Sequence, residues 1–195
     1  KPVVDIISAD FLYRCMDSIC NTAAKLDFVS GQEHTIVIRA EFLTGGPTTG
    51  QRPEALFTHI PGLRVVVPST PHEAYGLMRT ALSTPGVTLF FEDRMIQDGE
   101  FTEAEKVCGK MFPFGVANWS RHGERGNVTI LTYGLMHQVV KRALAPFKFN
   151  GDRFDDDFPM FCDVIDLVSL YPIHWQFITK MLERTGKLLI VEPDV

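Results

Sequence analysis

Short runs of apolar, β-branched residues alternate along this chain with stretches of helical periodicity. That alternation limits the possible folds more than any other feature. The apolar runs fall at 3–7, 34–39, 64–67, 87–91, 128–133, 162–167 and 188–192. They are continuous rather than alternating with polar residues, which is the pattern of strands covered on both faces in a parallel sheet. Between them lie the helical stretches. Residues 10–25 place Leu12, Cys15, Met16, Ile19, Cys20 and Ala23 on one stripe, with Asp10 as the expected cap. Residues 70–81 open on a capping box of Thr70 and Glu73 with Pro71 at the first helical position, and bury Ala74, Leu77, Met78 and Ala81. Residues 135–145 turn Met136, Val139, Val140 and Ala143 inward, and 173–184 stop at Gly186. The expectation is an α/β protein built on mainly parallel sheets.

The rhythm breaks between residues 93 and 127, where scattered charge, glycine and aromatics read as a linker between two domains. Residues 149–158 read as an acidic, aromatic loop. The first strand starts beside Lys1 and the last ends near Val195, so both ends read as cut from something longer.

Composition excludes several roles. With a net charge of −5 and no basic stripe, nothing points to nucleic acid. No apolar run reaches the roughly 18 residues of a membrane span. Cys15, Cys20, Cys108 and Cys162 form no CxxC pair, which fits a reducing compartment such as the cytosol or the mitochondrial matrix. The histidines make no HxH or HExxH pair, so no metal ligand is expected among them. Asp155, Asp156 and Asp157 read as a solvated acidic run, and the glycines of TGGPTTG at 44–50 read as a turn. There is no GxSxG elbow and no P-loop. These motifs alone name no catalytic residue.

Four blocks add a resemblance. PEALFTHIPGLRVVVPSTPHEAYGL at 53–77, VTILTYGLM at 128–136, DVIDLVSLYPIHWQFITKMLERTGKLLIVEPD at 163–194 and VVDIISADFLYRCMDSICNTAAK at 3–25 keep the order and spacing of the β subunit of the thiamine-diphosphate-dependent decarboxylase component of 2-oxo acid dehydrogenases. Among its types, the FTHIPGL and FFE segments most resemble the branched-chain enzyme. The resemblance implies two transketolase-like α/β domains with mainly parallel sheets, both incomplete. Residues 1–95 would be a partial pyrimidine-binding domain, 96–126 a linker, and 127–195 a partial C-terminal domain. It implies thiamine diphosphate as cofactor, an α-type decarboxylase subunit as partner, self-association, and the mitochondrial matrix as location. Its alternative is a non-catalytic relative built into another large mitochondrial assembly.

The resemblance also places site residues. Phe11 falls at the aromatic that stacks near the aminopyrimidine, and Ile7 falls where the family has a glutamine. The family's proton-relay glutamate would precede Lys1. The histidine of the family's substrate loop falls at Thr49, followed by Gly50 and Gln51. Threonine cannot exchange a proton near neutral pH as imidazole does. The family's potassium turn reads Thr84-Pro85-Gly86-Val87 here, lacking its carboxylate and amide, so no metal is expected there either. These departures imply an eroded active site.

Overall fold

In the computed structural model, residues 1–43, 46, 49–97, 110–122, 127–145 and 162–193 are described. The apolar runs become the strands of two sheets. β1 (Val3–Ile6), β2 (Thr35–Phe42), β3 (Leu63–Val66) and β4 (Gly86–Asp93) form the first sheet in the order β1-β2-β4-β3, all parallel. β6 (Val128–Thr132), β7 (Cys162–Asp166) and β9 (Leu188–Val191) form the parallel part of the second. The α/β expectation is met.

Two further strands carry no apolar run. β5 (Asn118–His122) lies inside the span read as linker and pairs antiparallel with β7. Its sequence, NWSRH, has no apolar periodicity because it is an edge strand, held mainly by its backbone. β8 (Ser169–Tyr171) follows β7 by two residues yet leaves that sheet. It pairs antiparallel with β3 and completes the first sheet as β1-β2-β4-β3-β8. A strand from the second half of the chain thus closes the sheet of the first.

Several helical expectations need correction. Residues 9–30 do not form one regular helix. A tight 3₁₀ turn (Ala9–Cys15), a wide π turn (Ser18–Thr22), a further 3₁₀ turn (Ala23–Lys25) and α1 (Leu26–Ser30) follow one another. Leu12 and Ile19 still reach the core, with Cys15, Met16, Cys20 and Ala23 packed beside them. The cap is Ser8, whose hydroxyl accepts the Asp10 N–H, and the Asp10 carboxylate turns elsewhere. α2 (Glu54–Thr58) and α4 (Arg94–Gln97) are too short to show a period in sequence.

α3 (Pro71–Ser83) keeps its Thr70 cap, but Glu73 reaches back to the N–H of Ser69, one residue before the cap. α5 (Gly134–Leu144) is rotated from its expected face. It buries His137, Gln138, Val140 and Leu144, while Val139 and Ala143 are exposed. The rotation follows from polar groups on the neighbouring elements that His137 and Gln138 meet. α6 (Trp175–Thr185) ends at Gly186 as expected. β1 is no buried strand. It lies at the sheet edge, and Val3, Val4 and Ile7 are 49%, 44% and 73% exposed. The acidic run at 155–157 and Cys108 lie outside the described residues.

The main core spans both sheets. Phe42, Val65, Leu89 and Phe91 of the first pack in one cluster with Leu131, Tyr133, Ile165 and Met181 of the second half. The other face of the first sheet, through Val37, Val66 and Phe90, is covered by Leu77 and Ala81 of α3 and by Val168. Because the core is shared, the halves should unfold together. Ile165→Ala, which empties a fully buried position, is expected to cost about 2–5 kcal/mol. Tryptophan fluorescence, which reports Trp119 and Trp175 of the second half, should then shift with the far-ultraviolet dichroism of the whole chain in one denaturant transition.

Candidate functional site

In a parallel α/β sheet, ligand sites form beyond the carboxyl ends of the strands, where the loops converge. The carboxyl ends of β1 through β4 all point one way here, and the loop at 49–53 crosses them. Two carboxylates hold that loop. Asp10, just past β1, accepts the N–H of Gly50 at 3.0 Å on Oδ2 and that of Gln51 at 2.9 Å on Oδ1. The Ser8 hydroxyl adds a bond of 2.7 Å. Partial burial alone would raise the Asp10 pKa. The bonds from Gly50, Ser8 and Gln51 together outweigh it and hold the carboxyl below its usual range.

The second anchor is Asp93, at the end of β4. Its Oδ2 accepts a bond of 2.6 Å from the Arg52 guanidinium, and its Oδ1 accepts the Met95 N–H at 3.1 Å. Arg52 lies over the ring of Phe42, 4.1 Å from its centroid, and Phe42 stacks on Phe91 at 5.0 Å. Pairing with an aromatic face and a carboxylate suits a guanidinium, whose plane is weakly hydrated. Two residues on, Glu54 is buried and accepts the Tyr133 hydroxyl at 3.1 Å, which ties the loop to the second half of the chain. Burial raises the carboxyl of Glu54, and burial together with Glu54 raises the phenol of Tyr133. Beside Asp93 opens a cavity of about 360 Å³, lined by Pro68, Thr70, Pro71, Glu92 and Ile96 among others.

The residues singled out in the sequence occupy different parts of this end. Phe11 is 47% exposed, with the Arg14 guanidinium 5.9 Å above its ring. Ile7 is still more exposed and offers only an aliphatic surface. The Thr49 hydroxyl accepts the Gly46 N–H at 3.0 Å, so it serves a local turn. Two histidines lie on the elements around this loop. His34 sits at the amino end of β2, bonded to Asp27 through its ring at 3.0 Å. Eight residues of strand, about 25 Å, separate it from the loop. His59 caps the far end of α2.

At that amino end, the turn at 84–87 is occupied by a side chain. The Arg64 guanidinium bonds the carbonyls of Thr84 at 3.4 Å and Pro85 at 2.6 Å. Gly86 has φ +112, and a Cβ there would lie 2.5 Å from Arg64 Nη2. Among the described residues no group of three or more His, Cys, Asp or Glu side chains is arranged to hold a metal ion, and no helix is long and apolar enough to cross a membrane.

Sequence reading missed Arg52, Asp93, Glu54 and Tyr133. The available sign was a charged residue ending an apolar strand, as Asp93 does, but its partner lies 41 residues away and only strand pairing brings them together.

Comparison with known proteins agrees with the fold. Residues 1–97 match the family described as transketolase, pyrimidine binding domain. The β subunit of acetoin:2,6-dichlorophenolindophenol oxidoreductase of Cupriavidus necator is 33% identical over 98% of this chain and 55% of its own length. The 2-oxoisovalerate dehydrogenase subunit beta of Bacillus subtilis is 32% identical over 100% of this chain and 58% of its own. The chain thus spans a little over half the length of these relatives. A solved split-gene transketolase, described as an inactive β4 tetramer, superposes with a TM-score of 0.77 at 19% identity, covering 99% of this chain and 57% of that one.

Asp10→Asn replaces an acceptor of two N–H groups with an amide that can serve only one of them. Because the folded-state value of Asp10 is depressed, its contribution is present above the unfolded value of about 3.9 and is lost as pH falls through the folded value. The urea midpoint of Asp10→Asn is expected below wild type at pH 7, with the gap closing under acid conditions. Gly86→Ala, strained at this φ and crowding Arg64, should lower stability by about 1–3 kcal/mol in the same measurement.

Proposed function

We propose that this chain, whose first half is a transketolase pyrimidine-binding domain and which is a relative of the β subunits of thiamine-diphosphate-dependent 2-oxo acid dehydrogenases, is a β-type subunit of the branched-chain kind with an eroded active site. It pairs with an α-type subunit and with its own copies, in the mitochondrial matrix. Its halves act as a pyrimidine-type domain at 1–95 and a C-terminal-type domain at 127–195. β5, within the intervening residues, belongs structurally with the second.

The observation that carries the eroded reading is the state of the loop. Acyl transfer after decarboxylation needs a proton donor or acceptor within hydrogen-bond reach of the reacting adduct. The resemblance puts an imidazole at Thr49, where this chain has a hydroxyl already used by Gly46. The loop is not loosely built, since Asp10, Arg52 and Glu54 all fix it. It keeps its scaffold and lacks the titrating group.

The fit to the cofactor is one-sided. Phe11 supplies a half-exposed ring against which an aminopyrimidine face can stack. Ile7 supplies no donor or acceptor for its polar edge. Phe11 thus suits the face of the group, while neither Ile7 nor Thr49 offers it a titrating side chain. A second reading, a non-catalytic subunit of another mitochondrial assembly, draws on the same contrast between an intact scaffold and a missing titrating side chain.

The purified protein, given an α-type partner and thiamine diphosphate, is expected to catalyse reductive acylation from a branched-chain 2-oxo acid about 10²- to 10⁴-fold more slowly than a histidine-bearing β subunit. Thr49→His should raise the rate. Wild-type turnover within about tenfold of a typical enzyme's roughly 10 per second would overturn the eroded reading. Absence of any complex with the α-type partner by sedimentation would overturn the pairing.

A further inference from the structure

Where the two halves meet, two carboxylates are closed away from water. Asp166, the last residue of β7, is 0% exposed, and Glu73, in the first turn of α3, is 4% exposed. They come from opposite halves of the chain, and the groups around them join those halves. The Gln138 side-chain amide of α5 donates to the Ser69 carbonyl at 2.6 Å, and the Asn118 amide of β5 donates to Glu73 Oε1.

The two carboxylates are not equally provided for. Glu73 sits at a helix amino terminus, where negative charge is favoured, and accepts N–H bonds from Ser69 at 2.9 Å and from Asn118. Asp166 accepts one well-formed bond, from the Val168 N–H at 3.3 Å on Oδ1, and the Ser69 hydroxyl lies against its carboxyl without good bonding geometry. Its Oδ2 has no hydrogen bond among the described residues, and His137 Nδ1, 3.8 Å away, is beyond hydrogen-bond distance and pairs with it only when the imidazole is protonated. A bare, fully buried carboxylate oxygen costs several kcal/mol as an ion and far less as an acid. Ser69 Oγ, beside the Asp166 carboxyl, and Thr132 Oγ1, across from it in the β6–β7 register, are buried hydroxyls without a partner among the described residues. Either can accept an acid proton.

We propose that the junction between the two halves closes over a proton, with Asp166 entering as the neutral acid and Glu73 carrying the negative charge, so that the halves hold together less tightly as pH rises. The charged and titratable groups facing Asp166 are Glu73 from α3 and His137 and Lys141 from α5. Burial first, and then the Glu73 charge, raise the Asp166 carboxyl well above its usual range, while the Ser69 hydroxyl, the Val168 N–H and then Lys141 oppose the shift. Burial raises the Glu73 carboxyl as well, but the bonds from Ser69, Asn118 and Thr70 oppose it, so of the two Glu73 is the better placed to hold the charge. The sign follows. Between the unfolded value of about 3.9 and the raised folded value, the folded chain holds a proton that the unfolded chain has lost. Stability contributed by Asp166 is therefore complete below about pH 4 and declines until the folded group ionises. The decline is up to about tenfold in the unfolding constant per pH unit.

Asp166→Asn, which keeps the shape and stays neutral, tests this in the intact protein. Unfolding of wild type and D166N is followed by denaturant titration from pH 4 to 9, with E183Q, an exposed position on α6, as control. Wild type is expected to lose stability relative to D166N with rising pH, while E183Q parallels wild type. Hydrogen exchange gives a reading specific to the junction. The Val67 N–H bonds the Val168 carbonyl across it at 2.8 Å, and its protection factor should fall with pH in wild type but not in D166N. A constant offset between the two proteins at all pH values overturns the proposal. If D166N does not fold, E73Q decides. Removing the neighbouring charge should let Asp166 ionise at lower pH and end the decline earlier, and an E73Q curve parallel to wild type overturns it.

Discussion

The eight-residue pairing of β2 with β4, from Thr35 opposite Gly86 to Phe42 opposite Asp93, sets the geometry of everything around it. β1 pairs with β2 on one side and β3 with β4 on the other. At the carboxyl end the register puts Phe42 beside Phe91 and Asp93, which makes the place where Arg52 lies between a ring and a carboxylate. At the amino end it puts Gly86 next to His34, whose carbonyl accepts the Gly86 N–H at 2.6 Å, and leaves room for the Arg64 guanidinium. A slip of one residue would turn every side chain of the pair to the wrong face and dismantle both ends.

How much of this the sequence discloses depends on how each element is stabilised. Strands buried on both faces announce themselves as apolar runs, and β2, β3, β4, β6 and β7 were legible for that reason. α3 and α6 were legible through Thr70, Pro71 and Gly186. β5 and β8 were not, because an edge strand is held by its backbone and tolerates any side chain that clears its neighbours. The face of α5 was misread because an apolar count cannot foresee that His137 and Gln138 meet buried polar groups of other elements. The irregular segment from Ala9 to Ser30 has the period of a helix, but nothing in that period specifies tight or wide turns.

The site was less legible than the fold. Phe11 and Thr49 were marked through resemblance, and the structure places both at the carboxyl end of the first sheet. Asp10 read as a helix cap, whereas its carboxylate serves the loop 40 residues on. Arg52 with Asp93, and Glu54 with Tyr133, are pairings across long sequence separations, which no local pattern encodes. The loop that carries Thr49 is held by three anchors, so its backbone framework is specified by Asp10, Arg52 and Glu54 independently of the side chain at 49.

β8 imposes an order on biosynthesis. β3 is made early, yet its outer edge is covered only when residues 169–171 emerge, roughly a hundred residues later. At about 5–20 residues per second, the nascent first sheet carries an open, apolar edge for roughly 5–20 s. An uncovered β3 edge is a template for pairing with any passing strand. On the ribosome, this chain is thus most vulnerable after its first half is complete and before its second half has threaded back, a window in which a chaperone would find β3 rather than the finished surface.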